Sequence, residues 1–328
     1  MNTRIAIRVA GVTAAFFAVS TSLANAADKV KVVVPHPGLW DTRFVGYGIE
    51  SGIFKKNGLD VSVIKTRGGA ETLQAAITGN ADIAIATGTL SVIAAYNSGA
   101  PVRIIGNEIE GVPDINWYVK GDSKIKSLND MAGRTHAYSR PGASSHMVAL
   151  ELAETFKNMT GKTMKLVSTG GFSDTYTQVM TGQVDAGFTV FPFRFDKIKQ
   201  GVIRLALKGS DATALKGVSV RVQVAHADFL KKRRPVAKRF LKVYWDIYKW
   251  AYANPKESTA LVAKAWKIDP NSIGVAPDYI AQKYMTPAPV RGIDKLNHLA
   301  VKHKFIKKPL SKKQLKELID IVYDPRSS

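Results

Sequence analysis

The sequence of 328 residues predicts an α/β fold of two similar lobes, each with a mostly parallel sheet flanked by helices. The first observation is an internal repeat. Arg67–Thr89 and Gly170–Pro192 share glycines, an acid-threonine pair and a Thr-Gly-x-x-Asp motif at an offset of 103 positions. In each copy the glycines precede a helical period, Thr-Gly ends it, and a short apolar run follows, which is typical of helix, turn and buried parallel strand. Two such copies indicate two lobes rather than one long domain.

The second observation is the alternation of strand-like and helix-like segments in the first hundred or so residues. The β-branched run Val30–Val34 is followed by Asp41, which we expect to cap the next helix, and then by the strand Leu59–Ile64. The first repeat copy supplies a strand at Ile83–Ala86, and Val102–Ile105 supplies a fourth. This alternation favours a parallel, doubly wound sheet.

The N-terminus has the three features of a bacterial secretory signal peptide. Arg4 and Arg8 precede an apolar run that starts at Val9, and an Ala-Asn-Ala sequence ends at Ala26. We therefore expect cleavage after Ala26 and a mature protein in the periplasm. No other stretch approaches the roughly 20 apolar residues of a membrane-spanning helix.

The chain is strongly basic and has no cysteine. Its net charge of +21 becomes +19 when Arg4 and Arg8 are removed with the signal peptide, and two clusters, Lys231–Lys242 and Lys302–Lys316, read as helix surfaces. Inside a cell such charge would indicate nucleic acid. Export and the lack of any nucleic-acid-binding motif instead favour a solvated basic face and no nucleic-acid partner. Without cysteine there is no disulfide or thiolate ligand, and the six histidines show no metal spacing, so we expect neither metal nor cofactor.

Several short motifs follow one another along the chain. They are Gly48–Val61 (GIESGIFKKNGLDV), Gly68-Gly69, Gln74–Ile83 (QAAITGNADI), Ile125–Arg134 (IKSLNDMAGR) and Gly182–Ala186 (GQVDA). In this order they resemble periplasmic substrate-binding proteins of ABC importers of the NMT1/SsuA/TauA type, over essentially the whole mature chain. The resemblance implies a type II two-lobed binding protein, monomeric and without enzymatic activity, that serves an ABC permease. Ligands in such families include sulfonates, taurine, nitrate and thiamine precursors.

The resemblance also implies a second lobe inserted in the first. We expect a signal peptide at residues 1–26, the first part of lobe 1 at 27–117, lobe 2 at 118–218, and a return strand with C-terminal helices at 219–328. Ser219–Ala225 has the alternating pattern of the return strand. The aromatic residues of Pro235–Ala253 are expected in the core rather than in a ligand platform.

Site residues are expected after the strands, because ligands of open α/β sheets bind where strands lead into helix N-termini. In the first lobe these are Trp40, Arg43, Arg67, Gly68, Thr87, Gly88 and Thr89. The Thr-Gly-Thr run offers hydroxyls and free N–H groups that suit an anion or a carbonyl oxygen. Trp40 could be a cleft wall or pack on its own lobe, and Arg43 and Arg67 could face the cleft or solvent.

In the second lobe the predicted strand Thr135–Ser139 leads into a polar loop and a helix. Arg140 could supply a bidentate guanidinium, and Ser144 and Ser145 could supply hydroxyls and amides. The resemblance places the acidic group of the ligand at this helix start. The opposing rim is formed by Phe172, Ser173, Phe191, Phe193 and Arg194. Its aromatic rings and arginine favour a ligand with an apolar body and an acidic group.

These observations predict a periplasmic solute-binding protein for a small organic anion of the sulfonate or carboxylate type, which an ABC permease receives. A pyrimidine-like heterocycle as ligand, a sensor role and an enzyme on the same fold remain alternatives. The residues argue against an enzyme, because there is no cysteine, no legible Ser-His-acid set, and Gly142–His146 lacks the closing glycine of a nucleophile elbow.

Overall fold

The computed structural model describes residues 26–36, 39–266 and 282–326. The predicted signal peptide before Ala26 lies outside these residues, so its cleavage site stays a prediction. Within the described ranges, no helix combines the length and the hydropathy that crossing a membrane requires.

Strands and helices alternate along most of the chain. The strands are β1 (Asp28–Pro35), β2 (Leu59–Thr66), β3 (Ile83–Gly88), β4 (Val102–Glu110), β5 (Ile115–Lys120), β6 (Thr135–Tyr138), β7 (Lys165–Ser168), β8 (Gly187–Val190), β9 (Ile203–Lys208) and β10 (Ser219–His226). The helices are α1 (Phe44–Glu50), α2 (Ile53–Lys56), α3 (Gly69–Ile77), α4 (Thr89–Asn97), α5 (Ser144–Thr160), α6 (Phe172–Met180), α7 (Phe195–Lys199), α8 (Ala227–Ala253), α9 (Pro255–Trp266), α10 (Ile293–Lys302) and α11 (Lys312–Leu318). Short 3-10 turns lie at Leu128–Asp130, Gly209–Asp211, Thr213–Leu215 and Gln282–Tyr284.

The first lobe is built on a five-stranded sheet in the order β2-β1-β3-β10-β4. β1 pairs in parallel with β2 and β3, whereas β10 is antiparallel to both β3 and β4. The return strand is therefore inserted in the middle of the sheet, against the direction of its neighbours. It is buried along nearly its whole length rather than alternating, because both faces of the sheet are covered.

The second lobe repeats this arrangement. β5 is antiparallel to β8 and β9, β6 is parallel to β7, and an isolated parallel bridge between His136 and Ala186 joins β6 to the residue before β8. The resulting order, β7-β6-β8-β5-β9, matches that of the first lobe. In each lobe the antiparallel strand is the one that arrives from the other lobe. The two-lobed α/β prediction is confirmed.

The internal repeat has a structural basis in two recurring hydrogen bonds. The hydroxyl of Thr72 lies 2.6 Å from that of the threonine six positions earlier, and Thr175 makes the same contact at the same distance. Asp82 and Asp185 each accept a hydrogen bond of 2.8 Å from a backbone N–H of the adjacent strand, β1 or β6. The shared residues therefore fix the same helix-turn-strand unit in both lobes.

Asp41 does not cap the first helix, which corrects the sequence prediction. α1 begins at Phe44, and its preceding residue makes no side-chain capping bond. Asp41 is instead buried and paired with Arg221 of β10. A buried guanidinium is a stronger partner for a carboxylate than a short helix terminus.

The basic segment of α8 lies on the protein surface, as its sequence predicts. Its apolar stripe is buried and consists of Phe229, Leu230, Val236, Phe240 and Leu241. Its arginines are held by acids of neighbouring segments: Arg233 and Arg239 contact Asp28, and Arg234 contacts Asp320. These ion pairs fasten α8 to the first lobe.

Glu108 lies in β4 of the first-lobe sheet, and its carboxyl group is buried. It accepts hydrogen bonds from Gln223 Nε2 (2.7 Å) and the Tyr244 hydroxyl (2.9 Å). Burial raises the pKa of Glu108 from 4.5 to about 8. Because the folded state binds this proton more tightly than the unfolded chain, the stability that it contributes is complete below pH 4.5 and is lost as pH rises through about 8.

We expect Glu108→Gln to flatten this pH dependence. Between pH 4.5, the ordinary pKa of the side chain, and pH 8, its approximate pKa in the folded protein, the wild-type protein should lose up to about 1.4 kcal/mol of unfolding free energy per pH unit relative to the variant. Denaturant unfolding between pH 5 and pH 9 measures this, with the exposed Glu50→Gln as control. Parallel curves for wild type and Glu108→Gln would contradict the prediction.

Candidate functional site

A cavity of about 40 Å³ lies between the two lobes. It is bounded by the ends of β1, β3, β6 and β8, where the sequence places the site. By the usual measure such a volume holds roughly three water molecules. The lobes are thus close together around this cavity.

Three buried charged residues form the floor of the cleft. They are Asp41 (3 % exposed), Asp114 (1 %) and Arg221 (4 %). The Arg221 guanidinium donates to Asp114 Oδ2, and its Nε lies 3.4 Å from Asp41 Oδ2. The indole N–H of Trp40 donates to the same Asp114 oxygen at 3.3 Å. One cation is therefore shared by two carboxylates.

Asp41 and Arg221 also line the cavity. Burial raises the pKa of Asp41 to about 6; Arg221 opposes this rise, and the Asp114 charge adds to it. Within the described residues, Asp41 Oδ1 and Arg221 Nε make no hydrogen bond. Both atoms have almost no accessible surface, so they belong to the buried ion-pair cluster rather than to the open wall of the cavity.

The N-terminus of α5 faces the same cavity from the second lobe. Ala143, Ser144 and Ser145 line it, and no side chain caps the helix. The Ser145 hydroxyl accepts the backbone N–H of Ser139 (3.1 Å) and lies 2.8 Å from its hydroxyl, which holds the helix start against the end of β6. Free amides and the positive end of a helix of this length suit an acidic group.

His36 and Ala86 line the cavity, and both have a strained backbone conformation. Their φ angles are +43° and +56°, in the left-handed region that non-glycine residues rarely adopt. Such strain is concentrated at functional sites. The His36 ring lies 4.5 Å from that of Phe172 in the other lobe, and burial lowers the pKa of His36 to about 4, so its imidazole is neutral.

Further polar contacts join the lobes beside the cavity. The Arg140 guanidinium of the second lobe donates to the Glu71 carboxylate of α3, and the Ser91 hydroxyl of α4 donates to the Gly142 carbonyl. The pKa of Glu71 is lowered by the backbone N–H of Arg67 and by Arg140. Arg140 therefore bridges the lobes and does not line the cavity.

Most of the first-lobe side chains predicted to bind a ligand instead contact other groups of the protein. Trp40 and Arg43 are buried, and Arg43 donates to a backbone carbonyl of its own turn. The hydroxyls of Thr87 and Thr89 donate to carbonyls of β10 at 2.8 and 2.5 Å. The Arg67 side chain is 79 % exposed and pairs with an acid on α3. None of these five residues lines the cavity, because the inserted β10 and the local turns satisfy their polar groups.

The two glycines of the first-lobe prediction lie at the edge of the site. A Cβ on Gly88 would lie 3.2 Å from the Ser144 backbone nitrogen, so a side chain here would press on the start of α5. Gly68 precedes α3 and faces His36, and its neighbour Gly69 lines the cavity.

In the second lobe, Ser144, Ser145 and Phe172 line the cavity. The other predicted rim residues lie behind it: Ser173 is exposed, Phe191 accepts the Trp40 backbone N–H, Phe193 packs on Phe172, and Arg194 lies over Tyr176. Their assignment as ligand-binding residues stays a prediction.

The sequence prediction missed His36, Asp41, Ser139 and Arg221 as cavity residues. A signal for Arg221 was present, because it is the one arginine in the apolar strand SVRVQVAH. A charge inside such a strand requires a buried partner, which would have pointed to an unassigned acid.

The model of the family described as NMT1/THI5 like matches residues 44–258. The chain belongs to this family. No curated protein sequence matches the chain.

Solved structures share the fold of this NMT1/THI5-like protein. The periplasmic aliphatic sulphonate-binding protein SsuA of Escherichia coli superposes with a TM-score of 0.73 at 18 % identity, over 90 % of this chain and 93 % of that one. The alkanesulfonate-binding protein SsuA of Xanthomonas axonopodis pv. citri, bound to MOPS, gives 0.73 at 13 % identity, over 90 % and 100 %. The desulfurization enzyme DSZB gives 0.64 at 13 % identity, over 89 % and 96 %. At these identities the likeness establishes the fold.

We expect the Glu71–Arg140 pair to favour the closed arrangement of the lobes. Arg140→Glu should lower the ratio of closed to open protein by up to roughly fivefold, because a partly exposed ion pair contributes up to about 1 kcal/mol. The double variant Glu71→Arg/Arg140→Glu should restore it. Since the chain has no cysteine, spin labels at Asn97→Cys and Gln183→Cys can report the distance between the lobes.

The control for this prediction is Arg134→Glu, whose partner Asp185 lies in the same lobe. An equal change in the control, or a double variant as open as the single one, would contradict the role of the pair.

Proposed function

We propose that the protein is a periplasmic solute-binding protein that captures a small organic anion between its lobes and delivers it to an ABC permease. The observation that carries this is the meeting of the α5 N-terminus with a buried charged floor across one interlobe cavity. A helix N-terminus binds anions through free amides and the helix dipole. The family membership and the sulfonate-binding proteins of the same fold support the same function.

Closure of the two lobes is the proposed mechanism. The connections between them run side by side, since Gly111 donates its backbone N–H to the Val218 carbonyl at 2.8 Å. The chain passes from the sheet of the first lobe to that of the second between β4, which ends at Glu110, and β5, which begins at Ile115. A ligand that contacts both lobes favours the closed form by its additional contacts there. The permease would then receive the closed monomer, exported by the predicted signal peptide.

A planar neutral heterocycle is the second candidate ligand. The neutral His36 imidazole and the Phe172 ring line the cavity together and present flat surfaces to a ring. An enzyme on this fold has less support, because the sequence holds no cysteine nucleophile. In the described residues, moreover, no serine hydroxyl hydrogen bonds to a histidine ring nitrogen.

Thermal unfolding of the mature protein against a ligand panel tests the proposal. The panel holds alkyl and aryl sulfonates, carboxylates, amino acids, inorganic anions and pyrimidines. A ligand at 100 times its Kd adds about 2.7 kcal/mol, which is readily measured as a rise in Tm. Stabilisation by organic anions is the expected result. Stabilisation by pyrimidines alone would favour the heterocycle, and catalytic turnover of any compound would replace the binding function with an enzymatic one.

A further inference from the structure

The end of the first lobe that lies opposite the cavity carries exposed lysines from four segments. This end is formed where β1, β2 and β3 begin and where the antiparallel β10 ends. The cavity lies at the other ends of β1 and β3, so the length of β1, about 23 Å, separates the two places. We call this surface the basal face, and its exposed lysines are Lys29, Lys31, Lys55, Lys56, Lys231, Lys232, Lys238 and Lys316.

Contacts between the four segments bring these lysines to one surface. The Arg233 guanidinium of α8 donates to the Lys29 carbonyl of β1 at 2.7 Å. α2 is placed beside β1 because β2, which follows α2 directly, pairs with β1 along its whole length. On the other side of α8, Arg234 pairs with Asp320, four residues after Lys316 of α11. The lysines of β1, α2, α8 and α11 therefore surround the same end of the sheet.

The arginines and the lysines of the basal face have different environments. Each arginine of α8 pairs with an acid of a neighbouring segment, whereas none of the eight lysines forms an ion pair within the described residues. At this end of the described chain, the exposed acids without an ion pair are Glu50, Asp60 and Asp228. Eight lysines against three acids leave the basal face with an excess of positive charge that the protein itself does not neutralise.

The composition of the basal face suits an anionic lipid surface better than a protein partner. Protein interfaces are centred on aromatic, methionine and arginine side chains and are depleted in lysine. The large apolar side chains that are exposed in the described residues lie elsewhere: Ile64 near the other end of β2, and Met159, Val202 and Leu205 in the second lobe. A lysine ammonium group is a hydrated point charge on a flexible stem, which attracts anionic headgroups without a fixed geometry.

The start of the described chain lies at the same face. β1 begins at Asp28, two residues after Ala26, where the predicted signal peptide ends. The apolar run of that signal peptide is the segment that would enter the membrane during export. Before cleavage, the basal face is therefore the part of the described protein nearest to the predicted membrane-inserted segment.

We propose that the basal face binds the surface of an anionic phospholipid membrane through its unpaired lysines. Each lysine close to such a surface strengthens binding by about fivefold, and the attraction weakens as salt screens it. The cavity lies at the far end of the lobe, so it stays clear of the lipid and accessible to its ligand. Binding of this kind would keep the protein beside the membrane without any change at the ligand site.

Co-sedimentation of the mature protein with lipid vesicles tests the proposal. Vesicles of phosphatidylglycerol and phosphatidylcholine in equal amounts are compared with vesicles of phosphatidylcholine alone, in about 0.1 M salt. We expect binding to the anionic vesicles, its loss as salt rises towards about 1 M, and no binding to phosphatidylcholine. The triple variant Lys231→Gln/Lys232→Gln/Lys238→Gln should bind the anionic vesicles at least about tenfold more weakly.

A second triple variant with the same net charge is the matched control. It is Lys124→Gln/Lys162→Gln/Lys165→Gln, which replaces exposed lysines of the second lobe that have no ion pair in the described ranges. We expect the control to bind the anionic vesicles as the wild-type protein does. Both variants should keep the wild-type Tm, because the replaced lysines are exposed and none of them is held in an ion pair.

Three results would overturn the role of the basal face. The first is the absence of wild-type binding to the anionic vesicles, and the second is an equal loss of binding in the two triple variants, which would assign the effect to net charge. The third is displacement of the protein by soluble glycerol phosphate at the concentration of the lipid headgroups, which would assign the lysines to a small-anion site. None of these results bears on the solute-binding function of the cavity.

Discussion

The lobes are organised around the Arg221 guanidinium, which lies between Asp41 and Asp114. Arg221 belongs to the return strand, Asp41 to the loop after β1, and Asp114 to the connection between the lobes. Burying these charges costs several kcal/mol per ion, which close pairing must offset, and removing one partner typically costs about 3–5 kcal/mol. The three segments are therefore bound to one another at the base of the cleft.

The side-chain contacts that join the lobes beside the cavity are weaker than this buried ion-pair cluster. Glu71 and Arg140 join the lobes through side chains that are about one-third exposed, so solvent screens their attraction. The His36–Phe172 ring contact adds a further small term. In the proposed closing motion, contacts this weak leave the choice between open and closed lobes to the ligand, which then needs only a modest differential affinity for the closed form.

Sequence reasoning recovered what depends on local pattern. The repeat around Thr72 and Thr175 predicted two equivalent helix-turn-strand units, because glycines, caps and apolar runs act over a few residues. Local patterns were insufficient where a strand distant in the sequence supplies the hydrogen-bond or ion-pair partner of a side chain. Thr87 and Thr89 resemble ligand donors until β10 lies beside them, and Asp41 resembles a helix cap until Arg221, 180 positions later, is placed opposite. The sequence can indicate that a charged residue is buried, but it does not show which distant residue pairs with it.

The two lobes share a strand order, yet the loops that face the cavity have diverged. After β1 the chain makes a strained turn at His36 and a buried carboxylate at Asp41, and the helix that follows has only seven residues. After β6 the equivalent loop enters α5 directly, so a long helix points its N-terminus into the cleft. The two halves of the duplicated frame thus bring different groups to one cavity, a helix N-terminus from the second lobe and a buried ion-pair cluster from the first. In the proposed function the acidic group of the ligand binds at the helix N-terminus, because the first lobe sets the carboxylate of Asp41 on its own side of the cavity.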